Sequence, residues 1–187
     1  MAEGAPVEMT IRLSLPRVEL VASYLDLLEE IEANDGHVHP ARPAPGEAPD
    51  GFVARLRAWE DEAPFDGDRV PQTTYWATVD TRVVGHIGLR RRLNDELASY
   101  GGHIGYTVRP SCRGRGIAKE MLRLVLETPA ARATGRLLLT CAPDNVASIR
   151  TIEANGGVFE RTVFVERIAR ATSLYWIELD ESATARS

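Results

Sequence analysis

The chain has 187 residues, 44% hydrophobic and 26% charged, with a formal net charge of −5. That is the balance of one ordinary globular domain and excludes wholesale disorder. Its apolar runs fall far short of the ~20 residues that span a bilayer. No basic-then-apolar leader opens the sequence, and two cysteines, Cys112 and Cys141, make neither a disulfide scaffold nor a zinc site. The expectation is a single cytoplasmic domain over residues 1–187 with reduced thiols. Charge is divided along the chain. Residues 1–68 hold 15 acidic and 5 basic side chains, whereas residues 82–136 hold 11 basic and 4 acidic. Such a split suits two faces with two different ligands.

In chain order, residues 8–15 alternate Met9, Ile11, Leu13 and Leu15 with polar neighbours and predict a short strand. Ser14 and Pro16 open a helix with Val18, Val21, Leu25 and Leu28 as its apolar stripe, closing near Gly36. Residues 36–49 contain Pro40, Pro43, Pro45 and Pro49 and predict a mobile loop. A second helix over 50–63 presents Phe52, Leu56 and Trp59 on one face. Residues 73–79 and 82–89 flank Asp80-Thr81 and predict a β-hairpin. A strand follows over 103–108, then a helix over 116–127 stopped by Pro129. The apolar run 136–141 reads as a strand buried on both faces. A helix over 145–154 and strands over 158–165 and 174–179 complete the order, followed by a tail at 180–187. The predicted fold class is α/β: a twisted mixed β-sheet of about seven strands flanked by helices on both faces.

The segment Val108-Arg109-Pro110-Ser111-Cys112-Arg113-Gly114-Arg115-Gly116-Ile117-Ala118 sets two glycines between a strand and a helix. Glycines there let backbone N–H groups approach an anion without a Cβ in the way. The helix start adds unpaired N–H groups and the positive end of its dipole. Arg113 and Arg115 add charge. The pattern predicts a pyrophosphate cradle. It lacks the Gly-Lys-[Ser/Thr] of a nucleoside-triphosphate loop and the third glycine of a dinucleotide fingerprint. Arg90, Arg91 and Arg92 form a basic triplet too short for nucleic acid, with no interleaved aromatics.

The run Arg113-Gly114-Arg115-Gly116-Ile117-Ala118 resembles the [RQ]-x-x-G-x-[GA] signature of the GCN5-related N-acetyltransferases (GNAT superfamily). The Val-x-Pro lead-in, the apolar strand at 137–141, and Asn145-x-x-Ser148 opening a helix that ends at Asn155-Gly156-Gly157 resemble the same family. The likeness covers residues 73–179. The runs Gly-Gly-His-Ile-Gly-Tyr at 101–106 and Thr-Ile-Glu-Ala-Asn-Gly-Gly at 151–157 are similar to a bacterial branch of uncharacterised acetyltransferases.

This resemblance implies acetyl-CoA as acyl donor, with no metal. Gly114, Gly116, Ile117 and Ala118, flanked by Arg113 and Arg115, would hold its pyrophosphate. The backbone of Tyr106, Thr107 and Val108 would bind the pantetheine arm and the thioester oxygen, and Asn145 and Ser148 would hold the arm near the thioester. Many relatives carry a Tyr seven residues beyond the Asn as general acid; Ile152 stands there instead. Ser148 or water is then the proton source, and a thiol of pKa near ~8.5 leaves tolerably without full protonation. His103, one residue from where relatives carry a catalytic Glu, is the candidate general base, with His86 a weaker one. Cys112 has no base to make it a nucleophile and Cys141 reads as core, so direct attack in a ternary complex is expected.

The implied activity is acetyl transfer to an amine of a small molecule or peptide. An acidic wall (Glu29, Glu30, Glu32, Asp35, then Glu60, Asp61, Glu62, Asp66 and Asp68) predicts a cationic acceptor. The expected partners are this amine and a second copy of the chain, with no nucleic acid and no membrane. Two other readings stay open: a non-catalytic acyl-CoA-binding module, and acetyl transfer to aminoacyl-tRNA, against which the net charge argues.

Overall fold

A computed structural model describes residues 10–36, 41–60 and 70–179. The first residues of the expected opening strand, part of the Pro-rich loop, the end of the second expected helix and the tail lie outside the described residues. So do Asp61, Glu62, Asp66 and Asp68.

The elements run β1 (Arg12–Ser14), α1 (Val21–Asp35), α2 (Pro49–Ala58), β2 (Gln72–Val79), β3 (Arg82–Arg90) and α3 (Asp95–Ser99). They continue β4 (Ile104–Val108), α4 (Ile117–Leu126), α5 (Pro129–Thr134), β5 (Arg136–Cys141), α6 (Val146–Glu153), β6 (Val158–Val165) and β7 (Arg170–Glu178). The seven expected strands and the α/β class are present. They form two antiparallel sheets, ordered β1-β2-β3-β4 and β5-β7-β6. Among the described residues no helix is long and apolar enough to cross a membrane.

Helices cover both faces of the first sheet, as the alternation in β2 requires. Trp76 faces α1 and α2, packing with Tyr24, Leu28 and Phe52, and its ring stacks on Tyr24 at 4.4 Å. Ala77, the next residue, joins the opposite core with Met121 and Leu122 of α4 and Leu137 and Leu139 of β5. Helix α1 buries Val21, Tyr24, Leu27, Leu28 and Ile31, the three-and-four spacing of an amphipathic helix.

Local chemistry explains where the elements depart from expectation. Pro129 does not merely stop a helix; it opens α5, where a proline costs no hydrogen bond, and the Thr128 hydroxyl caps it by accepting from the Ala131 N–H (3.3 Å). Helix α3 buries no residue, so it has no apolar period to betray it; its signal is the cap alone, Asn94 Oδ1 accepting from the Leu97 N–H (2.9 Å). Strand β7 starts four residues before 174, because Thr172 and Ser173 are buried polar residues that break the hydrophobic run. Ser173 is paired through its hydroxyl with Thr162 (3.0 Å).

The two sheets meet at a seam. The His103 N–H donates to the Leu138 carbonyl (2.7 Å), and the Leu138 N–H donates back to His103 Nδ1 (2.8 Å). The His103 carbonyl meanwhile accepts from Arg90 of β3 (2.8 Å). Gly102 makes this approach possible. At φ 61° its missing Cβ would lie 2.4 Å from the Leu138 carbonyl oxygen, a distance no side chain tolerates. Arg90 adds a guanidinium contact to the Gly102 carbonyl (3.1 Å), so the first member of the basic triplet is a structural tie. No ladder joins β4 to β5 past the seam.

A second tie binds α1 to the β4–α4 loop. Arg109 is buried, 3% exposed. Its Nε donates to the Val83 carbonyl (2.8 Å), Nη1 to Glu30 (2.7 Å) and Nη2 to the Ser23 carbonyl (2.6 Å). The other Glu30 oxygen accepts from the Ser111 hydroxyl (2.8 Å). Burial pushes the Glu30 carboxyl up, but the Ser111 and Arg109 hydrogen bonds outweigh it and hold the pKa below its ordinary value.

Two predictions follow from these ties. A lowered Glu30 pKa means stability that is present above the unfolded-state pKa and lost as pH falls through the folded one. Glu30→Gln is expected to cost about 1.5–3 kcal/mol near neutral pH, a deficit that shrinks below about pH 4.3. Urea unfolding across pH reads this out, and equal stability at neutral pH would refute the clamp. Burial, reinforced by Arg90, pushes the His103 imidazole down. The folded protein therefore holds His103 neutral, and stability falls as pH drops below the unfolded value of 6.5. His103→Ala is expected to cost about 1–3 kcal/mol and to remove that part of the pH dependence, measured by thermal unfolding between about pH 5 and 8.

Candidate active site

Beyond the seam, the edge of β4 turned away from β3 has no strand beside it, and a cavity of about 580 Å³ opens there. One wall is β4 itself, through Tyr106, Thr107 and Val108. The floor is the turn containing Gly114 and Gly116 and the start of α4, with Ile117, Ala118 and Lys119. The far wall is α6, with Asn145, Ser148, Arg150 and Thr151.

Both turn glycines have φ 76°, the left-handed region that β-carbon-bearing residues avoid. A Cβ built on either meets nothing within 4 Å, so the space they leave belongs to the cavity. Gly116 caps α4 without any side-chain hydrogen bond, and the first N–H groups of the helix face the cavity floor uncapped. Backbone donors, a positive dipole end and Lys119 together make a seat for an anion.

The structure brings together most of the residues singled out from sequence and leaves Arg115, His103 and His86 outside the cavity. Arg113 lines the cavity but is not a free charge: it grips the Asp35 carboxylate with two hydrogen bonds (2.9 and 2.5 Å). Arg115 does not line the cavity. Lys119 and Arg150 are the other basic groups on the walls, both missed. Their signal was helical spacing, Lys119 in the first turn of α4 and Arg150 one turn past the cap of α6.

His103 is another of those left outside. It does not line the cavity, and its Nδ1 lone pair is taken by the Leu138 N–H, so the expected general base is a seam residue instead. His86 is buried in the first sheet, edge-on to Tyr24 at 5.8 Å, away from the cavity. Cys112 lines the cavity without a base beside it, and Cys141 is half-buried.

Asn145 is the N-cap of α6, its Oδ1 accepting from the Ser148 N–H (3.0 Å). The cap uses only the oxygen and leaves the amide donor to the cavity. Tyr106 enters with its side chain as well as its backbone. Burial pushes its hydroxyl pKa up, partly offset by Ser148. Ile152, where relatives place a tyrosine, is buried against Gly157 in the core. Among the described residues, no group of three His, Cys, Asp or Glu is placed to hold a metal ion.

The acidic wall has other duties. Glu30 holds Arg109 and Ser111, Asp35 holds Arg113, and Glu32 pairs with Arg42 (2.5 Å). Three of the carboxylates expected to attract a cationic acceptor are thus engaged within the protein.

The comparisons agree with this geometry. The acetyltransferase (GNAT) domain family matches residues 17–158. A comparison with curated proteins finds no match. Among solved structures, a Salmonella typhimurium acetyltransferase described as modifying the N-terminal serine of ribosomal protein L7/L12 superposes with a TM-score of 0.64 at 18% identity, covering 94% of this chain and 98% of that one. The microcin C7 self-immunity acetyltransferase MccE, solved with acetyl-CoA and AMP, gives 0.63 at 16% identity over 94% and 96%. Mycobacterium smegmatis RimJ, solved in complex with CoA-disulfide, gives 0.64 at 21% identity over 92% and 84%. Acetyl-CoA is the acyl donor this family uses, and a two-glycine turn at an uncapped helix start beside an open strand edge is a fitting seat for it. The chain belongs to the GNAT acetyltransferase family.

Proposed function

We propose that the chain is an N-acetyltransferase that moves the acetyl group of acetyl-CoA onto an amine of a peptide or small molecule, by direct attack within a ternary complex. One observation carries this reading: the uncapped start of α4, its two left-handed glycines and the unpaired edge of β4 share one cavity.

Acetyl-CoA supplies the acyl group as a thioester, already activated toward amines. Gly114, Gly116 and the first N–H groups of α4 hold the pyrophosphate, with Lys119 neutralising charge. The Asn145 amide, with Ser148, holds the pantetheine arm and so fixes the thioester against β4. Backbone N–H groups on the free edge of β4 meet the negative charge that develops on the carbonyl oxygen. An acyl-CoA-binding module without catalysis would need the first two features only; the open edge of β4 favours turnover.

No imidazole lines the cavity among the described residues, and Asp35, the carboxylate there, is held by Arg113. The acceptor therefore loses its proton to water, and its own pKa governs reactivity. An α-amine near 7.7–8.0 has a few-hundred-fold larger neutral fraction at pH 7 than a lysine amine near 10.4, by about that pKa difference. This favours a terminal α-amine as acceptor, cationic only in its resting form. The acceptor of the Salmonella relative, an N-terminal serine, is of that class.

Two variants and a control test the reading. Gly116→Asp puts a carboxylate into the seat and is expected to weaken CoA binding by at least about tenfold. Gly135→Asp also puts a side chain on a positive-φ glycine (φ 74°) in open space at the end of α5, away from the cavity, and is expected to bind CoA as the parent does. Asn145→Ala is expected to lower kcat/KM for a peptide α-amine by about tenfold, and Asn145→Asp to keep the cap while losing the donor. Calorimetry showing parental CoA affinity in folded Gly116→Asp would refute the seat.

A further inference from the structure

Ile104, Tyr106 and Val108 of β4 pack into the core shared with α4, so Gly105 and Thr107 lie on the opposite face of the first sheet, the face of Trp76 and the α1–α2 core. On that face Thr74, Gly88 and Gly105 stand abreast on β2, β3 and β4, and the row beside them holds Gln72 and Arg90. The two adjacent glycines leave a window in the side-chain cover of the sheet. The Gln72 carboxamide lies over Gly88, 2.8 Å from where a Cβ would stand, and the Arg90 guanidinium lies beside Gly105, 3.8 Å from its Cβ position. Gln72 Nε2 donates to the Thr74 hydroxyl (3.1 Å), which leaves Oε1 as an acceptor.

Arg90 is the unusual member of this group. Arg109 and Arg55, also withdrawn from solvent, are paired with Glu30 and Glu47. Arg90 is half-buried too, yet among the described residues no carboxylate pairs with it. Its Nη1 donates to the Gly101 and Gly102 carbonyls (3.4 and 3.1 Å), which leaves Nε and Nη2 without a protein acceptor. Burial lowers its pKa, and only Tyr100 acts the other way. A guanidinium held partly out of water without a counter-charge is a seat for an anion, and its flat fork matches a carboxylate.

We propose that Arg90 binds a carboxylate carried by the acceptor, and that the acceptor is an α-amine with a carboxylate on the same residue. This rests on the acetyl-CoA reading of the cavity. The pyrophosphate seat lies past the C-terminal end of β4, so the pantetheine arm runs back along the free edge and ends short of the seam, beside Gly105. On the α6 side the Tyr106 side chain, its hydroxyl buried against Ser148 and Thr151, closes the approach. The amine therefore reaches the thioester carbon across the Gly88–Gly105 window. There Gln72 Oε1 accepts from the amine while the Arg90 fork takes the carboxylate, a two-point match to a residue that carries both groups. The acidic first residue of a peptide and the free carboxylate of an amino acid both supply this chemistry.

The test is acetylation, by the full chain with acetyl-CoA, of paired acceptors that differ in this one charge. Asp-Ala-Ala-amide against Asn-Ala-Ala-amide removes a side-chain carboxylate, and L-alanine against L-alaninamide removes a main-chain one, each compared per neutral amine. In the parent, kcat/KM is expected to be at least about tenfold higher for the charged member of one pair, the scale of one charge-assisted hydrogen bond. The pair that shows it identifies the source. Arg90→Gln is expected to abolish the preference through KM, with kcat, CoA affinity and kcat/KM for the neutral member within about twofold of the parent. Arg90→Lys keeps a charge without the fork, serves if the Gln variant does not fold, and is expected to lower the preference at least about threefold. Gly105→Ala, whose methyl would stand 3.8 Å from the guanidinium, narrows the window and is expected to raise KM for all the acceptors at parental CoA affinity. Equal kcat/KM within both pairs, or a preference that survives in Arg90→Gln, would overturn the proposal while leaving acetyl transfer standing. A parent that binds CoA and acetylates none of these amines would overturn the transfer reading itself, and this inference with it.

Discussion

Two hydrogen bonds between His103 and Leu138 set the geometry of this protein. They join the segment leading into β4 to β5, beside a further contact from the Gly101 N–H to the Thr140 hydroxyl, and past them no ladder continues between the two strands. Had β4 and β5 continued as a ladder, every edge N–H of β4 would be satisfied by protein, and no cavity would open. Because they part, β4 keeps one paired edge on β3 and one unpaired edge, and buried backbone donors demand a partner. The side chain that enforces this is an imidazole used as a neutral acceptor. A carboxylate at 103 would put a charge into the same buried seam at a far greater desolvation cost.

The division of charge along the chain has its explanation in the same region. Two carboxylates of α1 act inside the protein. Glu30 reaches the loop after β4 through Arg109 and Ser111, and Asp35 reaches it through Arg113. The acidic first third and the basic middle are joined by ion pairs that fix where the two-glycine turn sits. A guanidinium buried as deeply as Arg109 is stable only with its donors satisfied, and three acceptors from two elements satisfy it. Arg113, read from sequence as a phosphate ligand, anchors the turn to α1 through its two hydrogen bonds to Asp35.

Much of this was legible in the sequence, and the illegible parts share a cause. Strand β5 reads correctly because Leu137, Leu138 and Leu139 are all buried, and α4 because its apolar stripe is strongly one-sided. The turn at Gly114 and Gly116 reads correctly because only glycine suits its backbone. What sequence misplaced depends on long-range pairing. Nothing local distinguishes a His that accepts from Leu138, 35 residues away, from one that takes a proton from a substrate. Nothing local says that Arg113 meets Asp35 while Arg115 points elsewhere. Helix α3 lacks a buried face, and β7 hides its start behind Thr172 and Ser173. Local rules describe elements; the roles of charged and polar groups come from what the fold sets beside them.

On the proposed function, the cavity's composition fits the reaction's electronic demand. A thioester already has a good leaving group, and a neutral amine already has a free lone pair. The steps left to the protein are to hold the two together and to meet negative charge on oxygen and then on sulfur. None of these requires a group that changes protonation during turnover. Backbone N–H groups and a capping amide are fixed dipoles, effective because they need no reorganisation as charge develops. A buried carboxylate or imidazole placed as a base would have brought its own desolvation cost into a cavity whose neighbouring seam already burdens one imidazole. His103, Glu30 and Arg109 sit behind the walls and hold the sheet edge and the turn in position, while Asp35 and Arg113, which line the cavity, are paired with each other.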